Sequence, residues 1–237
     1  MEFFYVTLGL FVVYILLFVG VLISSWRPTR RLGCFGWFLF IGFILFIQPN
    51  VLVYPSALFM KAHVVELYKM GSNPMGPTLI APSQFAPEVL QADRVVVSKW
   101  FYRLNDPKRG DIATFNKTSP NDEPPVIFAM RIVGLPGETI DIESPYVLIN
   151  GERLTDPPIF AKISGKQDGF TGYYTTEEME AEGIPLPLTL GANEYFVLGD
   201  NSSASYDSRF WGPVRRQDIT GKVIRIYYPF DRVREIE

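Results

Sequence analysis

The sequence has little of what most hydrolytic and metal chemistry uses. It contains a single cysteine, Cys34, set in an apolar run, which excludes an internal disulfide framework and a cysteine-based zinc site. It contains a single histidine, His63, which excludes a multi-histidine metal site and leaves only that residue for any Ser-His-Asp triad. Charge is also scarce at one end. Residues 1–60 carry only Glu2, Arg27, Arg30 and Arg31. Of 22 lysines and arginines three fall in that stretch, and of 25 acids one, so the remainder is net −5 with His63 neutral. A net acidic exterior with no basic stripe argues against a nucleic-acid partner. There is no internal repeat and no low-complexity tract.

What the first 60 residues do have is length without charge. Phe3 to Ser25 is nearly all apolar. About 20 such residues at ~1.5 Å each span a hydrocarbon core of ~30 Å. The run is too long for the core of a cleavable leader, and no basic segment precedes it. A second run, Leu32 to Ile47, extends through Val51-Leu52-Val53, and Pro49 ends or kinks it. We expect a membrane anchor over residues 1–60 with two spans, about 3–25 and 32–53; an interfacial segment is the rival for the second. Arg27, Arg30 and Arg31 between the spans mark the cytoplasmic side. Both termini then lie outside, and the protein is a two-pass protein of the cell's inner (plasma) membrane with residues 61–237 extracytoplasmic. The bilayer is thus one expected partner, with Trp26 and Trp37 as interface anchors or helix-contact residues.

The exterior part reads as strand after strand. Val64–Tyr68, Arg94–Trp100, Ile112–Phe115, Val126–Val133, Thr139–Ile142, Tyr146–Ile149, Glu194–Leu198 and Gly221–Tyr228 carry alternation and β-branching. Asn150-Gly151 signals a hairpin turn. Residues of about 155–190 lack periodicity and read as an insertion with one short helix at Thr176–Glu182. The absence of a long amphipathic helix predicts a mostly antiparallel β domain. Phe101, Phe170 and Phe210-Trp211 are candidates either for the core or for apolar loops resting on the bilayer.

Four strings concentrate unusual residue types: Met75-Gly76-Pro77-Thr78-Leu79; Asp93-Arg94-Val95-Val96-Val97-Ser98-Lys99; Lys108-Arg109-Gly110-Asp111 with Arg131-Ile132-Val133-Gly134-Leu135-Pro136-Gly137; and Gly199-Asp200-Asn201, Ser205, Asp207-Ser208-Arg209 and Trp211-Gly212. Each alone is a turn signal. Together, in this order, they resemble the sequence boxes of bacterial type I signal peptidases over roughly residues 60–228. That family consists of membrane-anchored serine endopeptidases that remove signal peptides from exported proteins with a Ser/Lys dyad and no cofactor or metal. Desolvation near apolar atoms lowers the lysine pKa so that it serves as base, and donors stabilise the oxyanion.

At both dyad positions this sequence departs from the resemblance. Anchored on Pro77-Thr78-Leu79, the nucleophile position is Pro74. Anchored on Arg131 and its Gly-Leu-Pro-Gly, the base position is Met130. Proline offers neither hydroxyl nor N–H, and methionine cannot take a proton. The resemblance places Ser72 where a side chain donates to the oxyanion, Ser205 where a hydroxyl orients the lysine, Asp207 and Arg209 where a charge pair supports the site together with Asp200 and Asn201, and Met75, Pro77, Thr78 and Arg131 along the peptide groove. The implied molecule is a pseudoenzyme of protein export that binds signal peptides or other extended segments of preproteins by edge pairing. The alternative is a working peptidase with a displaced nucleophile such as Ser72 or Ser83, with Lys69 or Lys117 as amine. Strand alternation sets Lys69 and Ser72 on opposite faces unless the chain bends. A third reading is a membrane-tethered β domain with no groove.

Overall fold

The computed structural model describes Gly42 and residues 64–82, 91–117 and 126–236. The chain divides into two compact units, Met1–His63 and Val64–Glu237. The two expected spans, the arginine loop, His63 and Ser83 lie outside the described residues. Among the described residues no helix is long and apolar enough to cross a membrane.

The second unit is built from antiparallel strands, in agreement with the sequence pattern. One sheet has the order β1 (Val65–Lys69), β2 (Arg94–Ser98), β11 (Ile219–Tyr228), β3 (Ile112–Lys117), β4 (Val126–Gly134), β9 (Glu194–Leu198) and β10 (Val214–Arg215), with β12 (Arg234–Glu235) on β11. A second sheet of four strands has the order β7 (Glu152–Arg153), β6 (Tyr146–Ile149), β5 (Thr139–Glu143) and β8 (Leu188–Thr189). The hairpin signal reads correctly. Asn150 at φ 52° and Gly151 at φ 84° form the β6–β7 turn, the left-handed pair that a tight hairpin needs.

Two apolar cores lie on opposite sides of one wall, β4 with β9. Side chains on a strand alternate between faces. Met130 and Ile132 of β4, with Tyr195 and Val197 of β9, enter the first core. Val133 of β4, with Phe196 and Leu198 of β9, enters the second. Being buried on both faces explains why β9 is hydrophobic with no polar alternation. Gly134, the last residue of β4, has no room for a side chain: a Cβ there would stand 2.5 Å from Ile140 Cδ1 and 2.9 Å from Phe196 Cβ.

The aperiodic stretch behaves differently from expectation. Its helix is α2 (Pro158–Ser164), not Thr176–Glu182. Pro158 at the first helical position has φ already suited to a helix and no N–H to leave unpaired. Phe160 and Ile163, three apart on one face, are buried in the second core beside Phe170 and Tyr173. At Thr175–Glu178 a reciprocal cap does form, Glu178 N–H to Thr175 Oγ1 at 3.1 Å and Thr175 N–H to Glu178 Oε2 at 2.8 Å. Only turns follow it, and Glu180 at φ 52° stops helix propagation. The second strand also ends earlier than expected, at Ser98. The chain then turns into α1 (Phe101–Leu104), with Phe101 N–H donating to Ser98 Oγ at 3.3 Å.

Candidate functional site

The first box is a tight turn. Leu79 N–H donates to Met75 O at 2.9 Å, and Gly76 N–H to Asn73 O at 3.4 Å. This turn buries Met75 completely in the first core and presents Thr78 inward. Pro74 is half-buried. Asn201 clamps this segment from the opposite side. Its N–H donates to Pro74 O at 2.9 Å and its Nδ2 to Asn73 O at 3.1 Å.

Met130 sits on β4 opposite Ala113 of β3. It is buried in the same apolar cluster as Met75. The next residue points the other way and carries the site's charge. Arg131 holds Asp200 through two parallel bonds, Nε to Oδ1 at 2.7 Å and Nη2 to Oδ2 at 2.6 Å, and its Nη1 donates to Gly110 O at 2.6 Å. Thr78 Oγ1 donates to the same Asp200 carboxylate. Burial works against the Arg131 charge, and Asp200 more than offsets it, so the guanidinium stays firmly protonated.

A second buried pair lies beside it. Arg209 Nε donates to Asp207 Oδ1 at 2.8 Å and Nη2 to Oδ2 at 2.8 Å. The remaining Arg209 donors reach Ser202 Oγ at 2.7 Å, Ser202 O at 2.8 Å and Tyr174 O at 2.8 Å. Asp207 also caps α3 (Ser208–Trp211), accepting from Arg209 N–H, and receives Gly199 N–H at 3.0 Å. Ser208 Oγ accepts Val197 N–H at 3.0 Å. The last box is therefore folded around its own arginine, with each donor matched.

Three buried side-chain atoms among the described residues have no partner: Asn73 Oδ1, Ser205 Oγ and Tyr173 OH. Two of them flank Pro74. A Cβ on Gly199 would stand 2.3 Å from Ser205 Oγ and 2.4 Å from Pro74 O, so the hydroxyl and the carbonyl crowd one spot. Tyr173, from the aperiodic stretch, is surrounded by the two buried ion pairs. Burial first, and then Asp200, hold its phenol well above its ordinary pKa.

The structure thus brings Pro74, Met75, Pro77, Thr78, Met130, Arg131, Asp200, Asn201, Ser205, Asp207 and Arg209 into one connected region. Ser72 lies apart from that network, exposed in a bend, and makes no hydrogen bond among the described residues. β1 stops at Lys69, opposite Arg94, and the chain bends before Ser72, so strand alternation does not extend to that pair. Lys117, the possible amine, belongs to a strand. It ends β3, and its Nζ lies 3.6 Å from the centre of the Trp211 ring. Burial lowers its pKa. Sequence reasoning did not single out Ser202, Tyr173 or Tyr174. Ser202 was visible inside the last box, whereas the tyrosines carried no signal. Among the described residues no three His, Cys, Asp or Glu side chains gather as a metal site would need.

One edge near this region is unpaired among the described residues. β4 pairs with β9 only from Arg131 onward, Arg131 opposite Leu198. Among the described residues, Ile127 to Met130 pair with β3 alone.

Residues 41–228 match the family model described as signal peptidase, peptidase S26. Signal peptidase I of Leptolyngbya laminosa is 34% identical over 76% of this chain and 77% of its own length. Signal peptidase I S of Bacillus subtilis strain 168 is 31% identical over 67% of this chain and 80% of its own. The crystal structure of a signal peptidase I from Enterococcus faecalis V583 is 30% identical, covering 50% of this chain and 97% of that one, with a TM-score of 0.34.

Proposed function

The chain belongs to the signal peptidase family, peptidase S26, and on that premise we propose that it is a membrane-anchored member that binds signal peptides or extended segments of exported preproteins without cleaving them. The observation that carries the reading is the unpartnered, buried Ser205 hydroxyl beside Pro74, in a site whose base position is filled by the buried thioether of Met130. A hydroxyl buried without a partner is costly. It is the remnant expected where an amine has been removed and the surrounding frame retained.

The chemistry follows from the residues in place. Acyl transfer by a dyad needs an attacking oxygen and an amine to take its proton. Pro74 supplies no oxygen, and its ring nitrogen has no hydrogen to give an oxyanion. Met130 takes no proton. Ser72 is the hydroxyl just before the box, and among the described residues no base is hydrogen-bonded to it; the Thr78 hydroxyl is committed to Asp200. What persists is positioning. Asn201 fixes the backbone of residues 73–74, the Arg131–Asp200–Thr78 network ties the first box to β4, and Arg209–Asp207 shapes the last box. The edge at Ile127–Met130, unpaired among the described residues, suits main-chain pairing with an extended peptide. The apolar runs at about 3–25 and 32–53 support a two-pass anchor with residues 61–237 outside the plasma membrane.

The test is incubation of the full chain, in detergent, with a preprotein, followed by product mass. The wild type yields no authentic cleavage. Pro74→Ser combined with Met130→Lys restores some cleavage, and either change alone does not. Wild-type cleavage abolished by Ser72→Ala overturns the reading in favour of a displaced nucleophile. A folded double variant with no cleavage shows that the frame has drifted from the catalytic one.

A further inference from the structure

A cleft of about 650 Å³ opens behind the first box, between the aperiodic stretch and the end of the chain. Its floor is Pro77 and Thr78, and Arg232 and Arg234 reach over that floor from the β12 end. Arg232 Nη2 donates to Thr78 O at 3.3 Å, and Arg234 Nη2 donates to the same oxygen at 2.8 Å. Two guanidinium groups therefore converge on one neutral carbonyl. Among the described residues a carboxylate holds only one of them: Asp93 accepts from Arg232, Nε to Oδ1 at 2.8 Å and Nη2 to Oδ2 at 2.9 Å.

The other charged groups lining the cleft are matched. Arg109 pairs with Glu138, Arg131 with Asp200, Lys162 with Asp168, Lys222 with Asp111 and Arg225 with Glu235. Arg234 is the cation of this lining that no described carboxylate pairs. Its burial, followed by the neighbouring Arg232 charge, disfavours its protonated form. Two like charges packed over one dipole in a concave, partly desolvated space favour an anion between them.

The geometry points to a binding site for a phosphate-class oxyanion in this cleft, which shares Pro77, Thr78 and Arg131 with the expected peptide groove. Arginine forks bind oxyanions through paired N–H donors. A tetrahedral anion offers oxygens in more than one plane, so one oxygen pair can take the Arg234 fork while another oxygen takes Nη1 of Arg232, whose Nε and Nη2 are held by Asp93. A carboxylate has two coplanar oxygens and satisfies one fork. The anion is free phosphate or the phosphate of a lipid headgroup; the chemistry is shared. Because Arg234 bonds to Thr78 O while Thr78 Oγ1 bonds to Asp200, occupancy bears on the back of the peptide-binding frame.

The test uses the full chain in uncharged detergent. Inorganic phosphate is titrated at constant ionic strength against a chloride control, and the thermal midpoint is read. A saturable, phosphate-specific rise is expected in the wild type, with at least a tenfold weaker apparent affinity in Arg234→Ala. Arg234 bonds to one carbonyl at the exposed end of the chain, so this variant folds; Arg234→Lys, retaining charge without the fork, recovers part of the affinity. Repeating the titration in phosphatidylcholine nanodiscs with and without phosphatidylglycerol identifies the source. A response abolished by the anionic lipid means that headgroups fill the site, and an unchanged response means free phosphate. No saturable wild-type response beyond chloride in detergent, or an equal response in Arg234→Ala, overturns the proposal.

Discussion

The hydroxyl of Ser205 and the carbonyl oxygen of Pro74 press on the same face of Gly199, within 2.3 and 2.4 Å of where a Cβ would stand, and the hydroxyl bonds to neither that carbonyl nor any other group among the described residues. The contact joins the first box to the last. It also exposes the difference between a site kept for shape and one kept for chemistry.

Gly199→Ala tests the shape. The new methyl group meets a backbone oxygen, which cannot swing aside as a flexible side chain does, so the 73–74 segment or the last box must move. Overpacking of this kind costs about 1–3 kcal/mol. Urea unfolding of the variant should show that loss with an unchanged m-value. A loss within experimental error would mean that the two boxes are not in close contact.

The paired arginines give a contrast in magnitude. Arg209 and Asp207 are almost wholly buried, and Arg209→Met leaves the Asp207 charge without its counter-ion. Breaking a buried pair from one side costs about 3–5 kcal/mol. Arg225 and Glu235 form a pair in which both side chains are at least half exposed. Arg225→Ala should cost about 0–1 kcal/mol, since water screens such pairs. The comparison is made by chemical denaturation of the two single variants. Equal losses would contradict the burial on which it rests.

Tyr173 makes a pH prediction. Its phenol is held well above the ordinary value by burial and by Asp200. A group whose pKa is raised in the folded state contributes stability that is intact below the unfolded value, ~10 for tyrosine, and is lost as pH rises beyond it, because there the unfolded chain binds fewer protons. Stability should fall as pH rises above ~10, and Tyr173→Phe should move that fall to higher pH. At neutral pH the same change removes an unpartnered buried hydroxyl, so it should be neutral or stabilising by up to ~1 kcal/mol. Thermal unfolding from pH 7 to 11 measures both effects. A variant that loses stability at pH 7 would mean that the hydroxyl has a partner.

Much of this was legible in the chain. The four boxes are short local strings, and turn formers such as Gly110 and the Asn150-Gly151 pair act through their own dihedral preferences, so they read directly. β4 and β11 read as strands because their runs are long and β-branched. The stretch around residue 160 did not read, because its helix starts at Pro157-Pro158, a pair that looks like loop, and is only seven residues long. The expected helix at Thr176–Glu182 is only a single capped turn, closed by the reciprocal bonds of Thr175 and Glu178. Tyr173 was invisible for a simpler reason: a lone aromatic in an aperiodic stretch carries no period, and only the folded chain places it beside Asp200 and Arg209.

Met130→Lys tests the chemistry, and its effect should depend on Ser205. The position is buried in the first core with Met75. An amine placed there loses hydration, so its pKa falls in the folded state, by as much as ~3–5 when burial is complete. In the window between the folded and the unfolded values the unfolded chain binds more protons, and stability therefore rises with pH. Met130→Lys should be destabilising at pH 7 by several kcal/mol, since each tenfold change in the acid constant is worth ~1.4 kcal/mol, and the loss should shrink toward pH 10. If the Ser205 hydroxyl faces this slot, as the family resemblance implies, it accepts a bond from the new amine worth about 0.5–1.5 kcal/mol. Ser205→Ala alone removes an unpartnered oxygen and should be neutral or slightly stabilising. In the Met130→Lys background the same change should be destabilising. A double-mutant cycle by denaturation measures the coupling directly. A coupling of zero, with both single variants folded, would show that the orphan hydroxyl does not look into the vacated slot, and the case for a disarmed dyad would then rest on Pro74 alone.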